Sequence, residues 1–354
     1  MILLREIQSR DLEALERLAQ IPGFINLQND RDFLAEKIQR SLASFRAPES
    51  GGSAEPDESK YVFVAEDLST GAVFGTSMIA AQHGTEEAPH FYFEVGSEEK
   101  FSQSIGTGFI HGTLKLRYET NGPSEIGGLV LDPQFRNTEA RVGRQISFIR
   151  FLYLARNKGR FKPDILAELL PPLNKKGQSP LWEAIGRRFT NMDYWEADRL
   201  CQQDKEFIFS LFPTGKIYTT FLSAEARNAV GKVGKDTEPV LHMLKKIGFH
   251  YKGQVDPFDG GPHLWAKRDD LVPVQRTRSL RYLGPVQAEA GVDGESGLLC
   301  ASVQEPGAFR AAHVSVVMEE EGAKVLLSDR DDLRQFERQL GLQPGDEAVF
   351  MPYY

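Results

Sequence analysis

Three arginines, Arg136, Arg141 and Arg144, surround the junction between an apolar run and a run with helical spacing. Cationic side chains beside the free N–H groups of a helix start suit a pyrophosphate. Gly143 lets a ligand approach the backbone there. Upstream, Gly127-Gly128 interrupts the apolar run and allows a bulge or a close ligand. The plain alternatives are solvated arginines at a surface helix start and glycines that only relieve crowding. Candidate proton carriers follow later in the chain: Glu168, Asp259, His242 and His250. A positioned carboxylate or imidazole can take a proton from an attacking group or return one to a leaving group. Glu168 also reads as a solvated strand end, and Asp259 sits in Phe258-Asp259-Gly260-Gly261-Pro262, which is good turn chemistry. His242 and His250 read as surface or packing residues.

The elements that would position these residues lie in Ser124–Ala155. Ile126, Leu129, Val130 and Leu131 predict a buried strand, ended by Asp132-Pro133 because proline has no N–H for the ladder. Ile146, Ile149, Phe151, Leu152 and Leu154 then recur at helical spacing. Strand, turn and helix together aim the positive helix end at whatever lies over the turn.

The rest of the chain reads as alternating strands and helices. A strand at 2–7 precedes a helix with Leu12, Leu15 and Leu18, for which Ser9 and Asp11 are candidate caps. A second helix spans about 32–45. Residues 47–60 form a polar loop, and strands at 61–66 and 72–81 make a hairpin around Gly71. Residues 91–95 and 164–170 are strands, and 98–119 reads as strands with Gly-rich turns. Ser179-Pro180 starts a helix that carries Ile185 and Phe189. Helices follow at about 193–201, 206–211 and 236–247, the last capped by Gly248. Strands at 249–255 and 263–266 pair across the Asp-Gly-Gly-Pro turn. Trp182, Trp195, Phe151 and Tyr153 read as core residues.

Composition sets outer bounds. The 354 residues allow two domains or one enlarged domain, and 41% apolar residues suffice for a core. A net charge of −8 argues against a broad nucleic-acid surface. Two cysteines without paired spacing and seven histidines without a His-x-x-x-His pair give no local metal motif. The charged start and the lack of a long apolar run predict no signal peptide and no membrane span.

The 124–155 segment resembles the coenzyme A segment of the GNAT superfamily of N-acyltransferases. That superfamily places Arg/Gln-x-x-Gly-x-Gly/Ala after the strand. Here Arg136–Arg141 lacks both glycines. Longer runs make the whole chain similar to the arginine N-succinyltransferases. They are Val62-Phe63-Val64-Ala65-Glu66-Asp67, Leu131-Asp132-Pro133 with Arg136, Ser179-Pro180-Leu181-Trp182 with Gly186-Arg187, Met192-Asp193, Ala197-Asp198, and Phe258-Asp259-Gly260-Gly261-Pro262.

The resemblance implies an α+β fold: a GNAT-like mixed, mainly antiparallel sheet flanked by helices. It implies an enlarged acyltransferase domain at 1–275; the glycines and charges of 276–297 read as a linker, and the strand-like runs after Leu298 as a small β-rich unit at 298–354. The implied reaction moves succinyl from succinyl-CoA to the α-amine of arginine by direct amine attack. Coenzyme A would be a co-substrate, with no permanently bound cofactor or metal. A cytoplasmic protein, partnered by acyl-CoA and an amino acid rather than nucleic acid or membrane, is expected. Homo-oligomerisation stays open. Arg136, Gly143 and Arg144 would hold pyrophosphate. Leu129, which matches a family residue that touches succinyl-CoA, would line the thioester channel. Asp259, Gly260 and Gly261 would shape the acceptor pocket.

Some positions depart from the family. Gly234 stands where the family has its proton-donor histidine. Glu94 replaces a basic residue, and Leu169-Leu170-Pro171 replaces Met-Arg-Gly. The catalytic group is therefore unassigned, with Glu168 and Asp259 as candidates. Two alternatives stay open: a different acceptor or acyl group, and a catalytically silent homologue that binds a metabolite or a partner subunit.

Overall fold

Sequence punctuation sets most element boundaries in the computed structural model, which describes residues 1–21, 30–47, 59–136, 138, 141–201, 204–288, 293–327 and 330–353. The loop read at 47–60 and the turn after Arg136 lie largely outside these residues. Strand β1 (Ile2–Glu6) leads to helices α1 (Leu12–Ala19) and α2 (Arg31–Arg46). Asp30 caps α2 by accepting the Phe33 N–H at 3.0 Å. Asp11 does not cap α1. Its carboxylate takes both terminal nitrogens of buried Arg5, at 2.7 and 2.8 Å, a bidentate charge-assisted pair stronger than a cap.

Strands β2 (Lys60–Asp67) and β3 (Ala72–Ala80) close around Gly71 at φ +72°. A longer hairpin joins β4 (His90–Ser102) to β5 (Thr107–Glu119). Then come β6 (Ser124–Leu131), α3 (Val142–Arg156) and β7 (Asp164–Glu168). Short elements follow: α4 (Pro180–Ala184), α5 (Gly186–Thr190), α6 (Tyr194–Cys201), α7 (Glu206–Leu211), β8 (Ile217–Tyr218) and α8 (Ala224–Ala229). The chain continues through α9 (Glu238–Ile247), β9 (His250–Val255), β10 (Pro262–Lys267) and α10 (Val272–Arg276). It ends with β11 (Arg278–Gln287), β12 (Glu295–Ala301), β13 (Arg310–Glu319), β14 (Gly322–Leu327), α11 (Arg330–Leu340) and β15 (Glu347–Pro352).

The contact pattern divides the chain into two units. The first holds Met1–Ala81, Ile126–Pro163 and Arg268–Tyr354. Its strands run β12-β15-β11-β14-β13-β1-β2-β3-β6, with β11 and β14 parallel and β1 antiparallel to both β2 and β13. One core sets Leu15 and Leu18 of α1 and Leu34 and Ile38 of α2 against Val62 and Val64. Helix α3 is buried on several faces, through Ile146, Phe148, Ile149, Phe151, Leu152 and Leu154. The stretch 276–297, expected as a linker, holds β11 and the start of β12. Leu280 and Tyr282 of β11 are buried in the tail's core with Phe336 and Phe350. The tail is thus part of the first unit rather than a separate one.

The second unit holds Gln82–Glu125 and Asp164–Lys267. Its strands run β7-β10-β9-β4-β5-β8, and Ser124 and Glu125 at the head of β6 pair in parallel with Ile165 and Leu166. The helix begun by Ser179 stops at Ala184 and restarts as α5, so it does not carry Ile185 and Phe189 as one piece. Trp182 stacks flat on Phe258 at 4.9 Å. Trp195, expected in the core, is 44% exposed.

Candidate functional site

In the first unit, β6 and α3 bring together the residues expected to meet coenzyme A. Gly128 takes φ +57°, a conformation that disfavours any side chain, and a β-carbon there would lie 3.1 Å from the Met78 Cβ. Gly128 borders a small cleft that Leu15, Lys37 and Met78 also line. Leu129 next to it is half-buried. Asp132 turns the chain by accepting the Gln134 N–H at 3.0 Å. Arg136 is exposed, and its Nε donates to the Leu131 carbonyl at 3.3 Å.

Arg141 forms the cap of α3 at φ 47°, and its carbonyl accepts from Arg144 and Gln145. The first-turn N–H groups at Val142 and Gly143 belong to the set that no helix satisfies internally. A β-carbon on Gly143 would meet only Leu131, at 3.4 Å. The Arg144 guanidinium lies over the rings of Tyr353, at 4.4 Å, and Phe148, at 5.2 Å. Arg150 was not singled out by sequence. Buried on α3, it donates to the Gly127 carbonyl at 3.3 Å and to the Ser147 carbonyl and hydroxyl at 2.9 and 2.7 Å. A single arginine inside an apolar helical run was the available signal.

In the second unit, β7 and β10 place Glu168 directly opposite His263. Glu168 Oε1 lies 3.4 Å from His263 Nε2, 3.4 Å from His90 Nε2 and 3.6 Å from His83 Nε2. His83 donates its Nδ1 proton to Glu125 at 3.0 Å. Both ring nitrogens of His90 and of His263 are buried and make no hydrogen bond. The His83 loop is built tightly. A β-carbon on Gly84 would sit 2.8 Å from the His90 Cβ, and one on Gly122 would sit 1.8 Å from the His83 carbonyl oxygen.

Burial pushes the His90 pKa well below its usual value and takes His263 down to about 4, so both imidazoles are neutral at pH 7. Burial also opposes charge on His83, but the Glu125 carboxylate outweighs it and raises that pKa. Burial, with Glu168 nearby, raises Asp256 to about 7. Burial and the Asp256 charge hold Asp259 well above the carboxylate range. None of the three histidines could be found by spacing, because the loop, β4 and β10 come from distant segments.

The Asp259-Gly260-Gly261 turn is held from several sides. Asp256 Oδ1 accepts the Phe258 and Asp259 N–H groups at 2.7 and 2.9 Å. Asp259 Oδ1 accepts from Gly261 at 2.7 Å. Gly260 takes φ +83°, and a β-carbon on Gly261 would fall 2.0 Å from the Leu169 carbonyl oxygen. Gly234 donates to the Leu170 carbonyl at 3.0 Å, so the segment where the family carries its histidine packs against the chain leaving β7. His242 and His250 are exposed and take no part.

The family described as "Arginine N-succinyltransferase beta subunit" matches residues 2–273. An arginine N-succinyltransferase of Citrobacter koseri is 35% identical over 283 residues, 79% of this chain and 80% of that protein. One from Escherichia coli O17:K52:H18 is 33% identical over 281 residues, 78% of this chain and 79% of that protein. The solved arginine/ornithine succinyltransferase subunit AI from Pseudomonas aeruginosa superposes with a TM-score of 0.81 at 25% identity, over 99% of this chain and 98% of that one. The fold is therefore that of a succinyltransferase subunit, mixed α+β with a mainly antiparallel arrangement of strands. The chain belongs to the arginine N-succinyltransferase family.

Proposed function

We propose that this protein transfers succinyl from succinyl-CoA to the α-amine of arginine. The family match over residues 2–273 carries the reading, and the β6–α3 geometry supports it. Arg136 and the Val142 and Gly143 N–H groups would bind the pyrophosphate, and Arg144 would add positive field from its aromatic stack. Leu129 would pack along the pantetheine. Backbone N–H groups at Gly128–Val130 would polarise the thioester carbonyl, and Arg150 would fix the Gly127 peptide just before them.

Glu168, with Asp256 part-ionised near pH 7 and Asp259 held protonated, offers negative charge and hydrogen-bonding carboxyls to an acceptor carrying both an ammonium and a guanidinium. The ammonium must lose a proton before its nitrogen attacks the thioester carbon. When the C–S bond breaks, the amide nitrogen sheds a second proton. One of the two protons ends on the thiolate and the other leaves to solvent. Glycine at 234 cannot carry either, so Glu168, the half-exposed carboxylate of the cluster, is assigned the first. The names of relatives as subunits support assembly with a second chain.

The test is free-thiol release by purified protein with succinyl-CoA or acetyl-CoA and a panel of amino acids. Arginine with succinyl-CoA should give the highest kcat/KM. Release no faster than in an amine-free blank overturns the proposal. Gly234 favours a second reading, with another acceptor or acyl group, and a different best pair in the same panel would establish it.

A further inference from the structure

Three imidazoles converge on one carboxylate oxygen in the second unit. The separations of 3.4, 3.4 and 3.6 Å are longer than N–H···O hydrogen bonds. They match the edge of a tetrahedron around a metal ion. With metal–nitrogen and metal–oxygen bonds near 2.0–2.2 Å, neighbouring ligand atoms lie about 3.3–3.5 Å apart. The donor atoms of His83, His90 and Glu168 lie within 4.8 Å of one another, as do those of Glu168, Asp256 and His263.

We propose that His83, His90 and Glu168 bind one divalent first-row transition-metal ion, of the zinc type, with a fourth position left open. This goes beyond succinyl transfer and does not depend on it. Both buried ring nitrogens of His90 make no hydrogen bond, and a cation accepting the Nε2 lone pair gives this imidazole a partner. His83 has the outer partner that metal-bound imidazoles keep. Its Nδ1–H donates to Glu125, which leaves the Nε2 lone pair facing Glu168. A 2+ ion balances Glu168 and the adjacent Asp256, whose Oδ1 is already engaged by the turn. Two imidazoles exclude magnesium and calcium as the preferred ions, which favour all-oxygen sites.

The ligands also sit on rigid supports. Glu168 closes β7 and His90 opens β4. Gly84 and Gly122 hold the His83 loop where no larger residue would fit. The contacts to the three imidazoles run through Glu168 Oε1.

The experiment titrates chelator-stripped full-length protein with zinc by calorimetry, and with Co2+ by visible absorption, with no substrate present. The expected result is one ion per chain, a tetrahedral Co2+ spectrum and a Tm that climbs with zinc concentration. His83→Ala and His90→Ala should weaken binding by at least about tenfold, and Glu125→Gln by about 10–100-fold. His242→Ala and His250→Ala, on exposed residues, should change nothing. No stoichiometric binding at submillimolar zinc overturns the proposal, as does equal weakening by the surface variants. If the alanine variants do not fold, the wild-type Co2+ spectrum and Glu125→Gln decide. Because no substrate is used, this site can fail while succinyl transfer stands, and the reverse.

Discussion

Gly186 packs beneath Trp182 so closely that a β-carbon there would lie 2.2 Å from the indole Cε3. The same indole is stacked on Phe258, in the turn that carries Asp259. One glycine thus governs both the break between α4 and α5 and the support of the Asp-Gly-Gly turn. Gly186→Ala should cost about 1–3 kcal/mol or more through overpacking, read from the urea midpoint. An unchanged midpoint would mean that the ring can shift freely.

Arg5 is buried with two carboxylates, Asp11 and Glu66, and donates to both. A buried charge cluster is sensitive to loss of one member. Arg5→Ala leaves two carboxylates without their cation and should destabilise by about 3–5 kcal/mol in chemical denaturation. The triple replacement of Arg5, Asp11 and Glu66 by apolar residues should recover much of that loss, so the effects will not add.

Asp198 on α6 is half-buried, and burial together with the Asp256 charge lifts its pKa to about 7. The raised folded-state value favours the protonated form. Its stability contribution is therefore complete below about pH 4 and is lost as pH rises through 7. Asp198→Asn, which mimics the protonated carboxyl, should match wild type at pH 5 and exceed it at pH 8.5. After allowance for partial solvation the gain is about 1–2 kcal/mol. Equal thermal melts of the two proteins at pH 8.5 would refute this assignment.

Arg136 and Arg144 flank the start of α3 but differ in their surroundings. Exposed Arg136 should matter for ligand. Arg136→Ala is expected to weaken coenzyme A binding about tenfold by calorimetry, the loss of one charge-assisted contact. Arg144 is tied to Tyr353 and Phe148, so Arg144→Ala should also lower stability by about 1 kcal/mol. If Arg136→Ala binds coenzyme A as tightly as wild type, the pyrophosphate is held elsewhere.

The strand–turn–helix at 124–155 was legible because Asp-Pro and apolar spacing are local signals, and local signals set β6 and α3. Gly128 was flagged by the same logic and does take positive φ. Strand β11 was hidden. Gly284 and Pro285 sit where its register shifts, and its polar residues face outward, so it resembled a linker. The histidine cluster was illegible for a different reason. Nothing near His83, His90 or His263 encodes their meeting, which follows from strand pairing across the whole second unit.

The placement of β13 against β1 fixes how far the chain can be trimmed. Cutting after residue 273, at the end of the family match, would strip β1 of one neighbour and bare the ladder groups of Leu3, Leu4 and Arg5 along a fresh edge. Unpaired apolar edges recruit other strands. A shortened protein of that kind should precipitate or self-associate rather than yield a minimal enzyme, which makes the last eighty residues a seam of the first unit and no detachable appendage.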